Sequence, residues 1–349
     1  MKVEYNVLDR HTEGEDGVKP KNSLTREESN SFFIYKAFAI LCVIAAHVSS
    51  IIIGAGRLAF ITSTFWAMMA RIGVVVFFLV SGFFFHREKR DTLIFWKKKF
   101  YSIILPWLIC ATLTFIVSIL LGDKKNIIVQ YVQWFLGFGT WYYYIIVLLW
   151  FFIIFKFIAK SNIALYVCLV LNVISILLET YNLNIISGLP FLTPYLNIFN
   201  WIGYFALGIL CRKYRIDRYI LKSKPILILS LGLTLVGSVL YFVFKIETDF
   251  HIITFAYKIP IMVTLFYFSS WLAKGKGSHL FVGIGQSTYF IYLLHMPIVQ
   301  SICSRLPLIL EIVKPIIGLL VMMLIIWIIN LFFKKLLKWE KPLMLVGLK

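Results

Sequence analysis

Lys36 and His47 stand eleven residues apart in one apolar run. At 100° per residue, eleven helical steps return to within roughly 20° of the same face, about 16 Å further along the axis. One face of a helix would then carry a cation near one mouth of a membrane and an imidazole near the other. A charged donor arriving from one side and an acceptor served on the other would use that arrangement. An ionisable side chain inside a lipid-crossing helix is costly and is read as functional by default. A neutral imidazole is suited to removing a hydroxyl proton, because its ordinary pKa lies close to working pH.

Other polar residues share the same apolar surroundings. Arg71, Lys258 and His295 are expected in the half of the membrane that holds His47, making an outer cluster of four. Arg71 or Lys258 could stabilise the oxyanion of an acyl transfer. Lys36, Lys97, Lys98 and Lys99 form a second, cytoplasmic basic group, and Ser81-Gly82 offers a slot for an acyl chain or pantetheine arm. Tyr289, Tyr292 and His295 recur at spacing three and share a face. Each has a plain structural alternative. His47 could bond a neighbouring helix, and His295, ahead of Met296-Pro297, could cap a broken one. Lys36 could snorkel to the surface, Ser81-Gly82 could let two helices close up, and the tyrosines could be a packed aromatic stripe.

The elements that must position these residues are membrane helices. The chain has 349 residues, is 60% hydrophobic and has a mean hydropathy of +0.87, against about 45–50% apolar in soluble domains. Its apolar runs approach the ~20 residues that cross a bilayer. The fold class is all-α and polytopic. Ten spans are expected, at 33–53, 64–85, 100–122, 140–159, 162–179, 197–211, 224–245, 252–273, 283–304 and 312–333. Of 35 Lys and Arg, 26 fall in the two tails and alternate loops, and only Arg57, Lys124, Lys125 and Arg305 in the opposite loops. That bias places both termini in the cytoplasm. The net charge of +19 is therefore a topology signal, and nucleic acid is excluded as a partner because the basic loops are short and separated by lipid-length runs. Asp123, Glu179, Glu247, Asp249 and Glu311 fall in or beside the outward loops, with none of the 16 acids inside a span. A carboxylate proton relay is disfavoured accordingly.

Residues 1–32 are polar and are expected to be a disordered cytoplasmic tail, with 33–349 a single integral membrane domain. No cleavable signal peptide, soluble catalytic domain or transporter-like repeat is visible. The segments near 126–139 and 185–196 are too apolar for ordinary loops. Both a surface amphipathic helix and a re-entrant piece rimming a cavity fit them. Cys42, Cys110, Cys168, Cys211 and Cys303 have neither metal nor disulfide spacing. No nucleotide-binding, zinc or nucleophile-elbow motif occurs, and no metal is expected.

Six stretches in order carry a resemblance: KAFAILCVIAAH (36–47), RIGVVVFFLVSGFFF (71–85), KKKFYSIILPW (97–107), TWYYYIIVLLWF (140–151), NWIGYFALGIL (200–210) and GQSTYFIYLLHMPIV (285–299). Together they resemble the acyltransferase-3 family of integral-membrane O- and N-acyltransferases. The resemblance covers about 33–345. It implies ten helices, a cytoplasmic acyl-CoA donor (usually acetyl-CoA) as co-substrate, and an extracytoplasmic or lipid-linked glycan as acceptor. The family hallmark is Arg, ten residues, then His in the first helix. The His falls on His47 and the Arg position holds Lys36, which keeps the charge but lacks the planar fork that grips phosphate bidentately. The second-helix Arg falls on Arg71, the Ser-Gly on Ser81 and Gly82, and the basic run before the third-helix proline on Lys98 and Lys99, with Pro106.

On this reading the protein is a multi-pass O-acetyltransferase of a bacterial plasma membrane, embedded in membrane lipids. His47 deprotonates the acceptor hydroxyl or relays the acyl group, and Arg71 positions or stabilises the acyl carbonyl. Lys36, Lys98, Lys99, Ser81 and Gly82 hold the donor, and Lys258, Tyr292 and His295 meet the acceptor. The alternative function is export of polysaccharide or a small solute without chemistry, a role also assigned to some members of the family.

Overall fold

A computed structural model describes residues 24–49, 57–85, 92–120, 126–189, 192–244, 249–306, 313–336 and 348. Most of the expected tail, positions 50–53 of the first expected span, and Asp123, Glu247 and Glu311 lie outside the described residues. The described residues are mostly helical, joined by turns, with no strand among them.

The first helix, α1 (Arg26–Ser49), starts seven residues before the expected boundary at 33. The reason is a reciprocal cap. Glu28 N donates to Thr25 Oγ1 at 3.1 Å, and Thr25 N donates to a Glu28 carboxylate oxygen at 2.8 Å, so two orphan amides of the first turn are satisfied. Glu28 also receives Arg215 at 3.0 Å and Arg218, which ties this turn to later helices.

After α1 come α2 (Arg57–Phe83), α3 (Thr92–Lys99) and α4 (Leu105–Leu120). A π-helical turn, Phe100–Ile104, joins α3 to α4. Pro106 cannot supply the amide that would bond Ser102, and a widened turn just ahead of it accommodates the loss. Next are α5 (Ile127–Phe135), α6 (Tyr143–Ile158), α7 (Asn162–Thr180), α8 (Ile202–Tyr214), α9 (Ile216–Lys222), α10 (Lys224–Phe244) and α11 (Ile252–Ala273). The last three are α12 (Ser278–Gln286), α13 (Thr288–Cys303) and α14 (Lys314–Asn330).

Seven stretches are helical, long and apolar enough to cross a membrane: Arg26–Val48, Ile61–Phe83, Leu93–Leu120, Asn162–Thr180, Lys224–Phe244, Ile252–Ala273 and Lys314–Phe333. They coincide with seven of the ten expected spans. The fourth, sixth and ninth expected spans are shorter helices. Turns through Gly137 and Gly139, both at positive φ, delay the start of α6. Turns and a single 3₁₀ turn precede α8, and Ser287 divides α12 from α13.

In lipid, helices associate through close packing rather than exclusion from water. α1 is central, packed by α2, α11, α12, α13 and α14. Glycines set the closest approaches. A Cβ on Gly82 of α2 would lie 2.0 Å from the Phe205 carbonyl oxygen of α8, and one on Gly208 of α8 would lie 2.0 Å from the Leu79 carbonyl oxygen of α2. Backbone faces both, so neither can yield. Gly208→Ala is expected to push α2 and α8 apart and destabilise the protein by about 1–3 kcal/mol, read as a lower thermal midpoint of the detergent-purified protein. α10 shows the opposite surface. Only Ser230, Gly237 and Tyr241 are buried there, while residues such as Ile228 and Leu235 are exposed, as a lipid-facing helix requires. All five cysteines are free thiols and four are buried.

Candidate active site

His47 lies near the end of α1 and His295 in the middle of α13, and the packing of those helices sets their ring centroids 5.0 Å apart. A proline places the neighbouring residues. Pro297 cannot donate to the Leu293 carbonyl one turn back. That carbonyl instead receives the Tyr142 hydroxyl at 3.0 Å and the Trp141 indole N–H at 3.4 Å. The freed acceptor thus pins the segment before α6 against α13, beside His295. The Tyr292 hydroxyl bonds the Trp141 carbonyl from the same helix face. Trp141 then stands 6.2 Å from the His295 ring and Tyr292 5.8 Å from it.

His295 is wholly buried. Its Nδ1 lies 2.7 Å from the Tyr292 carbonyl oxygen. A carbonyl only accepts, so Nδ1 carries the proton and, in a neutral ring, Nε2 offers the lone pair. Nε2 is buried without a partner. A buried, unsatisfied polar atom is costly to leave in place, and here it is a base in a dry site beside a second imidazole.

The second polar group gathers where the middle of α2 meets the start of α11 and the turn before it. Arg71 Nη1 pairs with Asp249 Oδ1 at 3.0 Å. Tyr195 donates to Asp249 Oδ2 at 2.7 Å, and Lys258 Nζ donates to the Asp249 backbone carbonyl at 2.9 Å. Burial raises the Asp249 carboxyl, but Arg71, Lys258 and the Tyr195 hydroxyl together bring it below its ordinary value. Tyr143 packs against Tyr195, their tilted rings 5.0 Å apart. The segment 141–144 therefore borders both groups, with Trp141 toward the histidines and Tyr143 toward Tyr195, the partner of Asp249.

The expected cluster of His47, Arg71, Lys258 and His295 thus resolves into two pairs, His47 with His295 and Arg71 with Lys258 through Asp249. Tyr292 serves through its hydroxyl to hold Trp141. Ser81 Oγ is 3.3 Å from the Tyr144 hydroxyl, and Tyr144 packs edge-on against Tyr292 at 5.2 Å, so Ser81 joins the histidine side. Gly82 is the close-approach point of α2 on α8 described above.

At the basic end, Lys99 Nζ lies 4.3 Å from the Phe152 ring centroid and Lys36 Nζ 4.7 Å from that of Phe33. Lys97 and Lys98 are exposed. Arg212 stands 5.2 Å over Phe83, which packs on Phe32 at 4.2 Å. Cations over an aromatic floor thus mark this end of the bundle.

Asp249, Tyr195, Trp141, Tyr142 and Arg212 were not among the site residues expected from sequence. A signal for Asp249 existed. Two in-span cations, Arg71 and Lys258, call for a carboxylate, and few acids lie on their side.

The family model described as an acyltransferase domain, acyltransferase-3, matches residues 33–331. That match spans every site residue expected from the sequence, and Asp249, Tyr195, Trp141, Tyr142 and Arg212 as well. Comparisons with curated proteins and with solved structures return no match.

Proposed function

The chain belongs to the acyltransferase-3 family, and we propose that it is an O-acetyltransferase of a bacterial plasma membrane, acting on a hydroxyl of an extracytoplasmic or lipid-linked glycan. The observation that carries this reading is the facing pair His47 and His295, with an unpartnered lone pair on a buried ring. The basic end faces the cytoplasm, in accord with the positive charge of its loops. Acetyl-CoA enters there, and Lys36, Lys98 and Lys99 meet its phosphates. The thioester reaches along α1 toward His47, about 16 Å from Lys36.

His47 takes the proton of the acceptor hydroxyl as its oxygen attacks the thioester carbonyl carbon. His295, through Nε2, accepts a hydrogen bond from the protonated His47. The C–S bond then breaks, the acetyl group stays on the acceptor oxygen, and the CoA thiolate leaves with the proton from His47. Arg71 orients the acyl carbonyl or steadies its developing negative charge. Its pairing with Asp249 holds the guanidinium in place.

The test compares surface glycans of the host with and without the gene by mass spectrometry, together with acetyl-CoA turnover by the detergent-purified protein. Loss of one acetyl increment per repeat, and CoA release by the protein, are expected. Unchanged acetylation with loss of glycan at the surface would overturn the reading in favour of an exporter.

A further inference from the structure

Glu179 stands in the last turn of α7. Its Oε1 receives the Asn200 amide at 2.9 Å, the Asn184 amide at 3.0 Å and the Asn197 amide at 3.5 Å, and the Ser187 hydroxyl as well. The three amides are fixed in direction. Asn184 Oδ1 accepts from Ile186 N at 3.1 Å, Asn197 Oδ1 from Phe199 N at 3.1 Å, and Asn200 Oδ1 from Ser175 Oγ at 2.6 Å. With each amide oxygen so occupied, each amide nitrogen turns to the carboxylate. Asn197 and Asn200 are buried, where an unmet donor is costly. Residues 184–189 and 192–200 thus fold around one carboxylate.

Tyr195 rides on that segment. The Asn200 amide bonds the Pro194 carbonyl at 2.9 Å, and the Trp201 indole N–H bonds the Tyr195 carbonyl at 2.9 Å, so the backbone beneath its ring is held on both sides. The Tyr195 hydroxyl then reaches Asp249 Oδ2, while Asp249 Oδ1 pairs with Arg71. The residue after Glu179 secures the other end of this link. Thr180 Oγ1 accepts from Ile252 N at 2.9 Å, three residues beyond Asp249. The last turn of α7 therefore sets the segment that carries Tyr195 and the turn that carries Asp249 relative to each other.

A network that merely closed a loop could end at the asparagines. This one continues through Tyr195 to the carboxylate that holds Arg71. A carboxylate bonded at one oxygen can still swing about its side-chain bonds, whereas one bonded at both presents a fixed edge to the guanidinium. Orientation matters in proportion to the chemistry it serves, since a shift of about 1 Å at a positioning group can cost about 10²-fold in rate.

From this we infer that Glu179 and Tyr195 are positioning residues of the acyl-transfer site. Glu179 fixes Tyr195, Tyr195 fixes the Asp249 carboxylate, and both act on the acyl carbonyl through Arg71. The inference rests on the acyl-transfer reading and on the role that reading gives to Arg71.

The test measures kcat and KM for acetyl-CoA with the detergent-purified full chain, reading CoA release with glycan extracted from a host that lacks the gene as acceptor. Tyr195→Phe keeps the ring and loses the hydroxyl. It is expected to lower kcat about ten-fold and to leave KM for acetyl-CoA unchanged, because the residues proposed to hold the donor, Lys36, Lys98 and Lys99, stand apart from this network. Glu179→Ala is expected to lose a similar factor, and Glu179→Gln, which keeps an acceptor oxygen, to recover most of it. The double variant Glu179→Ala, Tyr195→Phe should be no slower than the slower single one, because the two act along one path. Thermal midpoints are read alongside, and any loss of stability from Glu179→Ala persists in the double variant while the loss in kcat does not compound. Should Glu179→Ala fail to purify folded, Asn184→Ala takes its place, removing one donor at a partly exposed position with an expected loss of about three-fold in kcat.

Wild-type kcat in Tyr195→Phe, or losses that multiply in the double variant, overturns the inference while leaving acyl transfer intact. A raised KM for acetyl-CoA with kcat unchanged does so as well, since it would assign the network to donor binding. Absence of acetyl-CoA turnover and of glycan acetylation in the wild type overturns the acyl-transfer reading, and this inference with it.

Discussion

His47→Ala is expected to slow acetyl transfer by about 10²- to 10⁴-fold, the usual contribution of a general base, while the protein still inserts and keeps its thermal midpoint. The expectation follows from where the ring sits. His47 lies in the last turn of α1, and its ring faces that of His295 at 5.0 Å. Truncation there removes a proton acceptor without opening the core of α1, whose packing rests on residues such as Ile40 and Ile44. Transfer rate is measured as acetylated glycan and as CoA released, on protein quantified in the membrane fraction. Retention of full activity would remove His47 from the mechanism.

The partner ring gives the sharper version of this test. His295 donates from Nδ1 to the Tyr292 carbonyl, so Asn at 295 can keep that bond through its amide yet offers no comparable base. His295→Asn is expected to fold normally and to lose activity. Residues that act as one unit are non-additive, so the His47→Ala, His295→Asn double variant should be little slower than the worse single one. Multiplicative losses would mean that the two rings act in separate steps.

How far this site was legible in the sequence depends on the kind of constraint. Helix positions were legible because lipid imposes length and apolarity locally, and all seven long spans fall where the runs of residues put them. The fourth and ninth spans were not, because their interruptions come from backbone geometry at Gly137, Gly139 and Ser287; the sixth, the shortest of the ten expected spans, starts late because a 3₁₀ turn capped by Asn197 precedes α8. The start of α1 was missed for a related reason. A reading that follows apolar runs passes over Thr25 and Glu28, although their spacing of three is itself a capping signal.

Depth along a helix placed His47 and His295 at one level. Depth alone could not say that Arg71 and Lys258 would be drawn to Asp249, since that depends on the turn before α11 folding back onto α2. The Ser81-Gly82 pair shows the same limit. The sequence offers a small surface, and only the approach of Phe205 decides that a neighbouring helix covers Gly82.

Asp249→Asn is expected to destabilise the protein by about 3 kcal/mol, near the low end for breaking a buried ion pair, because Arg71 and Asp249 keep 13% and 17% of their side-chain surface exposed. The substitution leaves two cations, Arg71 and Lys258, facing a neutral amide. The pH dependence has a definite sign. The folded carboxyl lies below its ordinary value, since Arg71, Lys258 and Tyr195 outweigh the effect of burial. Its stabilisation is therefore complete above the unfolded value of about 3.9 and is lost as pH falls through the lower, folded one. Thermal midpoints measured from neutral pH down into that acid range should fall in the wild type by more than in Asp249→Asn. Replacing both partners, as in the double variant Arg71→Met, Asp249→Leu, should recover most of the stability, because a well-packed apolar pair often matches a buried ionic one. Lys258 retains the backbone carbonyl of residue 249 as its acceptor. If Arg71 acts on the acyl carbonyl, this stable double variant remains inactive; recovered acetyl transfer would instead confine the ion pair to holding α2 against the turn before α11.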